Sequence, residues 1–268
     1  MSEILQLAFF KNALIAICII SVASAIVGTY IVTRRLVTLS GGVTHACFGG
    51  LGLGYWLGVN PLAMASVFAV GSALGVEWLG RRGRMRDDTA IAVFWALGMA
   101  IGTIFVFLTP GYAPELNAFL FGNLLTVTTL DLWLFAAFTI VLVAFVWSCY
   151  RMIVACAFDS DFARVMHLPV TTMNTVMIIL VALCIVLTIR MAGIMLLMSM
   201  LTLPQLVAEL FCRRYLTIML TSVGVSLVCC VSGLFLGLVV DVPASALIVL
   251  VSMGVYGICA LCRGNKRR

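Results

Sequence analysis

The chain consists of long apolar runs separated by short polar connections. Nine runs are of membrane-spanning type, at residues 7–32, 43–59, 61–80, 89–109, 129–149, 171–189, 192–211, 216–239 and 243–262. A helix needs about 20 apolar residues to cross the hydrocarbon core of a bilayer. The pattern therefore predicts an all-α polytopic membrane protein, with a single transmembrane domain over 1–268. We expect about nine transmembrane helices, or eight as the alternative. The runs are continuous rather than alternating, which excludes a membrane β-barrel.

Two further segments do not fit the spanning pattern. Residues 115–127, with the sequence ELNAFLFGNLLTV, are too few to cross a bilayer and predict a short re-entrant or interfacial helix. Residues 150–170 are the longest polar interruption between spans. Within them Asp159 and Ser160 are good N-cap residues and Pro169 stops a helix, so a short capped helix is predicted at 160–168.

This short helix carries apolar side chains on a segment that is polar overall. They are Phe162, Val165, Met166 and Leu168. Apolar side chains exposed on a small capped helix indicate that another protein docks there. A helix lying on the membrane surface is the alternative.

Composition agrees with a membrane protein. The chain is 64% hydrophobic and 10% charged, whereas soluble domains carry about 25% charged residues. Most of the ten cysteines lie in apolar runs, where cysteine acts as a small hydrophobe. Cys259 and Cys262 form one CxxC without a second pair, so no zinc site is predicted.

The charge distribution predicts the orientation. With the N-terminus outside and the C-terminus in the cytoplasm, 14 of the 16 basic residues fall on the cytoplasmic side, as the positive-inside rule requires. The net charge of +6 therefore reflects membrane topology, and no nucleic-acid partner is expected.

The second span contains the most unusual stretch, GGVTHACFGGLGLGYWLG at residues 41–58. Gly50, Gly54 and Gly58 recur every four residues, a spacing typical of close helix packing in membranes. His45 falls on another face, together with Gly49, Gly52 and Trp56. A histidine in a membrane span usually faces a partner or a pathway, and the small residues after it predict a smooth groove.

Five stretches occur in an order and spacing that resemble one family. They are RRLVTLSGGVTHACFGGLGLGYWLGVNP (34–61), FLFGNLLTVTTLDL (119–132), DSDFARVMHLPV (159–170), AGIMLLMSMLTLPQLVAELF (192–211) and DVPASALIV (241–249). The chain resembles the permease subunit of bacterial ABC importers for divalent transition metals, the zinc, manganese and iron group. The resemblance covers nearly the whole chain.

This resemblance implies an assembly in the bacterial cytoplasmic (inner) membrane. Two permease copies would surround one pathway, a cytosolic ATPase dimer would bind ATP beneath them, and an extracytoplasmic solute-binding protein would deliver the metal. The chain has no GxxxxGK[ST] motif, so it is not expected to be an enzyme or to hold a permanent cofactor. The loop would be the coupling helix that contacts the ATPase, through Asp159, Ser160, Asp161, Phe162, Ala163, Arg164, Val165 and Met166.

The resemblance also makes His45 the leading metal-pathway residue. Many members carry a carboxylate one helical turn before this histidine, whereas Gly41 occupies that place here. A neutral imidazole together with a carboxylate suits zinc, manganese or iron. Thr44, Cys47 or an acidic group from another helix could replace the missing carboxylate. Asp241 is a further metal-pathway candidate, which could line the outer vestibule.

Two other functions remain open at this level. A permease for a metal chelate, such as haem or a siderophore, is compatible with the missing carboxylate. An intramembrane enzyme is a remote alternative, because the chain has no HExxH and its only histidines are His45 and His167.

Overall fold

The computed structural model describes residues 8–81, 86–109, 122, 127–240 and 242–265. These residues form helices, with no strand among them. The helices are α1 (Ala8–Thr33), α2 (Val37–Leu57), α3 (Pro61–Arg81), α4 (Asp87–Leu108), α5 (Thr129–Ser148), α6 (Tyr150–Phe158), α7 (Ser160–Val165), α8 (Val170–Met200), α9 (Leu203–Phe211), α10 (Tyr215–Val240) and α11 (Ala244–Asn265). Seven helical stretches in this part of the chain are long and apolar enough to cross a membrane, which confirms the predicted all-α membrane class.

The difference between seven stretches and the nine predicted arises at two places. Helix α2 has 21 residues, but its glycine, serine, threonine and histidine positions dilute its apolar content. The predicted spans 171–189 and 192–211 lie in one stretch of 42 residues, in which Gly193 departs from helical geometry with φ 76° and ψ 171°. The count of nine stays a prediction. The predicted helix at 115–127 lies outside the described residues, apart from Gly122 and Val127.

The chain divides into two compact units. One consists of residues 1–32, 117–148 and 191–268, and the other of residues 33–116 and 149–190. The second unit holds α2, α3, α4, α6, α7 and the first part of α8, so it contains both His45 and the predicted docking helix. The assignment of 1–268 to one permease domain stays a prediction.

In the second unit, α2 packs on α4 at nearly backbone distance. A Cβ atom added to Gly52 would lie 2.5 Å from the carbonyl oxygen of Gly102, and one added to Gly49 would lie 2.9 Å from that of Gly98. Real Cβ atoms do not come this close to another atom. Only glycine therefore permits this approach, which gives the two helices dispersion contacts in a solvent without a hydrophobic effect.

A neighbouring face of α2 packs on α3 in the same way. A Cβ atom at Gly50 would lie 2.7 Å from Cα of Ala65, and one at Gly54 would lie 2.8 Å from Cα of Pro61. Gly58, predicted as the third packing residue, has no such contact within the described part of the chain: a Cβ atom there would meet none of its atoms within 4 Å. It ends α2 as a left-handed C-cap with φ 66°, a conformation that glycine adopts without steric cost.

The first unit is held by buried polar contacts as well as by close packing. The side-chain amide of Gln205 donates to the carbonyl oxygens of Ser24 (3.0 Å) and Met200 (3.2 Å), and the Ser226 hydroxyl donates to that of Ser21 at 3.0 Å. Such bonds between membrane helices contribute about 0.6–2 kcal/mol each. The bonds to Ser24 and Ser21 fix α1 against α9 and α10, respectively.

The α2–α4 contact predicts opposite outcomes for two glycine substitutions. Gly52→Ala is expected to destabilise the protein by about 1–3 kcal/mol, because the new methyl group overlaps the α4 backbone. Gly71→Ala is the matched control in α3, where an added Cβ meets nothing within 4 Å and alanine gains up to about 1 kcal/mol of helix propensity. Thermal unfolding of both purified variants in detergent measures the difference. Equal melting temperatures would rule out the backbone-distance packing described above.

Candidate functional site

His45 lies on α2 with its ring stacked on Trp95 of α4. The ring centroids are 4.4 Å apart and the planes are inclined by 4°. The imidazole is half-buried and Trp95 is 44% exposed. Within the described part of the chain, neither imidazole nitrogen has a hydrogen-bond partner. The stack fixes the plane of the ring and leaves its nitrogens free to bind a ligand.

Two of the expected partners of His45 point elsewhere. The Thr44 hydroxyl is fully buried and donates to the carbonyl oxygen of Ser40 at 2.7 Å. The Cys47 thiol is fully buried and lies 3.0 Å from the carbonyl oxygen of Val43. Both groups therefore bond to carbonyl oxygens of their own helix. Because successive helical residues are about 100° apart, neither side chain lies on the face of α2 that carries His45.

The remaining expected ligands do not complete a site either. Asp241 lies outside the described residues, and Gly41, where the carboxylate was missing, is buried inside α2. Among the residues described, no group of three or more His, Cys, Asp or Glu side chains is placed to hold a metal ion.

The predicted groove after His45 was wrong. Helix α4 fills it, because Gly49 and Gly52 contact the α4 backbone and Trp56 contacts Phe105 with ring centroids 5.1 Å apart. The period of the glycines identified a contact face. It could not show that a helix 50 residues away covers that face.

The predicted capped helix is present as α7, Ser160–Val165. The Asp159 side chain caps its start by accepting from the backbone amides of Asp161 (3.1 Å) and Phe162 (2.9 Å). The helix ends three residues before the predicted position 168. There His167 adopts φ 55°, and the amide of Leu168 donates to the carbonyl of Ala163 at 3.0 Å, which is a Schellman ending.

Helix α7 presents its apolar side chains outward. Phe162 is 59% exposed, Val165 74% and Met166 60%, whereas Ala163 is fully buried. Arg164 and Asp161 form an exposed ion pair at 3.2 Å. The arrangement is a short capped helix with an apolar outer surface.

Two arginines that sequence reasoning missed contact the helices on either side of α7, namely α6 and α8. The Arg34 guanidinium donates to the carbonyl oxygen of Cys156 at 2.7 Å, a contact between residues too far apart in sequence to give a signal. Arg81 pairs with Glu77 and donates to Thr175 Oγ1 at 2.8 Å. Here the four-residue spacing of Glu77 and Arg81 was a visible signal of a helical ion pair.

A cavity of about 250 Å³ lies among these groups. Arg34, Glu77, Arg81 and Arg164 line it, together with Asn174 at the start of α8. Both arginine side chains and two residues of α7, Ser160 and Arg164, therefore border one cavity with a mixed polar and apolar lining.

Comparisons with known proteins match nearly the whole chain to membrane proteins of one transport family. Residues 6–263 match the ABC 3 transport family. A protein of Chlamydia pneumoniae named as a probable metal transport system membrane protein is 36% identical, over 90% of this chain and 84% of that protein. The manganese transport system membrane protein MntC of Listeria monocytogenes is 25% identical, over 96% and 92%. The structure of PsaBC from Streptococcus pneumoniae in complex with a Fab has the same fold, with a TM-score of 0.86 at 24% identity, covering 96% of this chain and 93% of that one.

The N-cap of α7 predicts a local effect of one substitution. Asp159→Ala is expected to weaken α7 by about 1 kcal/mol, because two backbone amides lose their acceptor. Asp159→Asn keeps an oxygen acceptor and is the matched control. Hydrogen exchange of the amides of residues 161–165 should be several-fold faster in the alanine variant only. The same exchange rate in all three proteins would show that the cap does not stabilise this helix.

Proposed function

The chain belongs to the ABC 3 transport family, and we propose that it is the membrane permease of an ATP-driven importer for manganese, zinc or iron ions. The observation that carries the proposal is the family match over residues 6–263. A permease of this family is a transport protein rather than a catalyst. The names of the relatives from Chlamydia pneumoniae and Listeria monocytogenes point to a metal, and the second to manganese.

The proposed pathway passes His45. A neutral imidazole is a ligand for manganese, zinc and iron, and the Trp95 stack holds its plane without using a nitrogen. A permeating ion must bind well enough to enter and weakly enough to leave. One fixed imidazole, supplemented by water or by a second copy of the chain, meets both conditions.

The proposed assembly supplies what the single chain does not contain. Two copies surround the pathway, and a substrate-binding protein delivers the ion at the outer side. The apolar outer surface of α7 contacts the ATPase on the cytoplasmic side. The protein lies in the bacterial cytoplasmic membrane with its N-terminus outside. Exposed Phe162, Val165 and Met166 support this docking role, because apolar side chains on a small capped helix favour a protein contact.

One observation favours a metal chelate as a second candidate substrate. The described residues hold no cluster of three metal-ligating side chains, and a chelate brings its own ligands to the metal. A chelate would therefore depend little on the imidazole nitrogens.

The role of His45 predicts a loss of transport when only its nitrogens are removed. His45→Phe retains an aromatic ring that can stack on Trp95, but it cannot coordinate a metal. In proteoliposomes that contain the permease, its ATPase and the substrate-binding protein, ATP-dependent manganese uptake is expected to fall by about tenfold or more. Trp95→Phe is the control, because it keeps an aromatic neighbour and the imidazole.

Three results would contradict parts of this proposal. No ATP-dependent uptake of manganese, zinc or iron by the wild-type complex would overturn the assigned function. Uptake of free manganese at the wild-type rate by His45→Phe would remove His45 from the pathway. Uptake of a chelated metal but not of the free ions would establish the second candidate.

A further inference from the structure

The segment that carries α7 is joined to the pathway helices at both of its ends by an arginine. We infer that Arg34 and Arg81 are positioning residues that transmit movement of α7 to α2 and α3. This inference rests on the proposed function, since it concerns how an ATPase docked on α7 would drive the pathway. All of the residues involved lie in the second unit.

The first link is a helix cap supplied from a distance. Cys156 lies in the last turn of α6, where carbonyl oxygens lack a backbone N–H donor within the helix. Arg34 donates to that oxygen at 2.7 Å, and its positive charge also suits the negative end of the helix dipole. Arg34 lies three residues before α2 begins at Val37. Movement of α6 therefore pulls directly on the start of the helix that carries His45.

The second link joins the end of α3 to the first turns of α8. The Arg81 guanidinium donates to the carbonyl oxygen of Thr171 at 2.9 Å and to Thr175 Oγ1 at 2.8 Å. Glu77 pairs with Arg81 and accepts from the Thr175 hydroxyl at 3.2 Å. Charge-assisted bonds of this kind are stronger than neutral ones and fix geometry. The start of α8 is thus fastened to α3.

Rigid packing beyond the two links carries the movement further. Helix α2 touches α3 and α4 at backbone distance through its glycines, so a displacement at either end shifts these helices together rather than bending side chains. The cavity of about 250 Å³ that both arginines border gives α7 room to move. Small displacements can be amplified in this way because closely packed helices have a few discrete arrangements rather than a continuous range.

The experiment compares transport with ATP hydrolysis in the reconstituted complex. The test variants are Arg34→Met, Arg81→Met and the double variant, which remove the donors and retain side-chain length. Arg34→Lys retains a donor toward Cys156. Arg213→Met is the control, since Arg213 is exposed and makes no side-chain hydrogen bond or ion pair with a described residue. Manganese taken up per ATP hydrolysed is the quantity measured, together with the amount of ATPase that co-purifies.

The expected result is uncoupling. The double variant binds its ATPase and hydrolyses ATP, but its uptake per ATP falls about fivefold or more, whereas Arg34→Lys and Arg213→Met keep the wild-type ratio. A double variant with the wild-type ratio overturns the inference, and so does one that loses the ATPase, because the links would then serve assembly. Failure of the wild-type complex to import metal counts separately against the proposed function.

Discussion

Backbone-distance packing of α2 against α3 and α4 is the constraint on which the second unit depends. Lipid offers helices no hydrophobic reason to associate, so contact must come from dispersion between surfaces that fit closely. Gly49 and Gly52 provide one such surface on α2, and Gly50 and Gly54 provide another. Because both faces are in contact with backbone, α2 cannot move independently of its neighbours, and His45 is held at a fixed height beside Trp95.

This constraint explains which features could be predicted from sequence. The apolar runs, the glycine spacing and the Asp159 cap are local patterns, and each has a short-range physical cause that a sequence displays. The partner of a glycine face is not local, so α2 looked like the wall of a groove that α4 in fact occupies. For the same reason Trp95 and the Arg34 contact with Cys156 gave no signal, and Thr44 and Cys47 were predicted near an imidazole from which the helical rotation separates them.

The proposed transport function relates two parts of the second unit, His45 in α2 and the short helix α7. In the proposed function a single imidazole holds a passing ion weakly, and an ATPase outside the pathway supplies direction and energy. The proposed docking site of that ATPase is α7, whose apolar outer surface lies in the same compact unit as His45. Arg34 and Arg81 connect the two regions, and the close glycine contacts of α2 with α3 and α4 hold these three helices together.

The central claim is that this permease is driven by a protein docked on α7 and not by a helix that rests on the membrane. Site-specific photo-cross-linking tests it most directly. A benzophenone side chain at position 162 in α7 is compared with one at position 147, where Trp147 is 80% exposed on α5. The account predicts a cross-link to the ATPase from position 162 and none from position 147. Cross-linking to lipid alone from position 162 would contradict it.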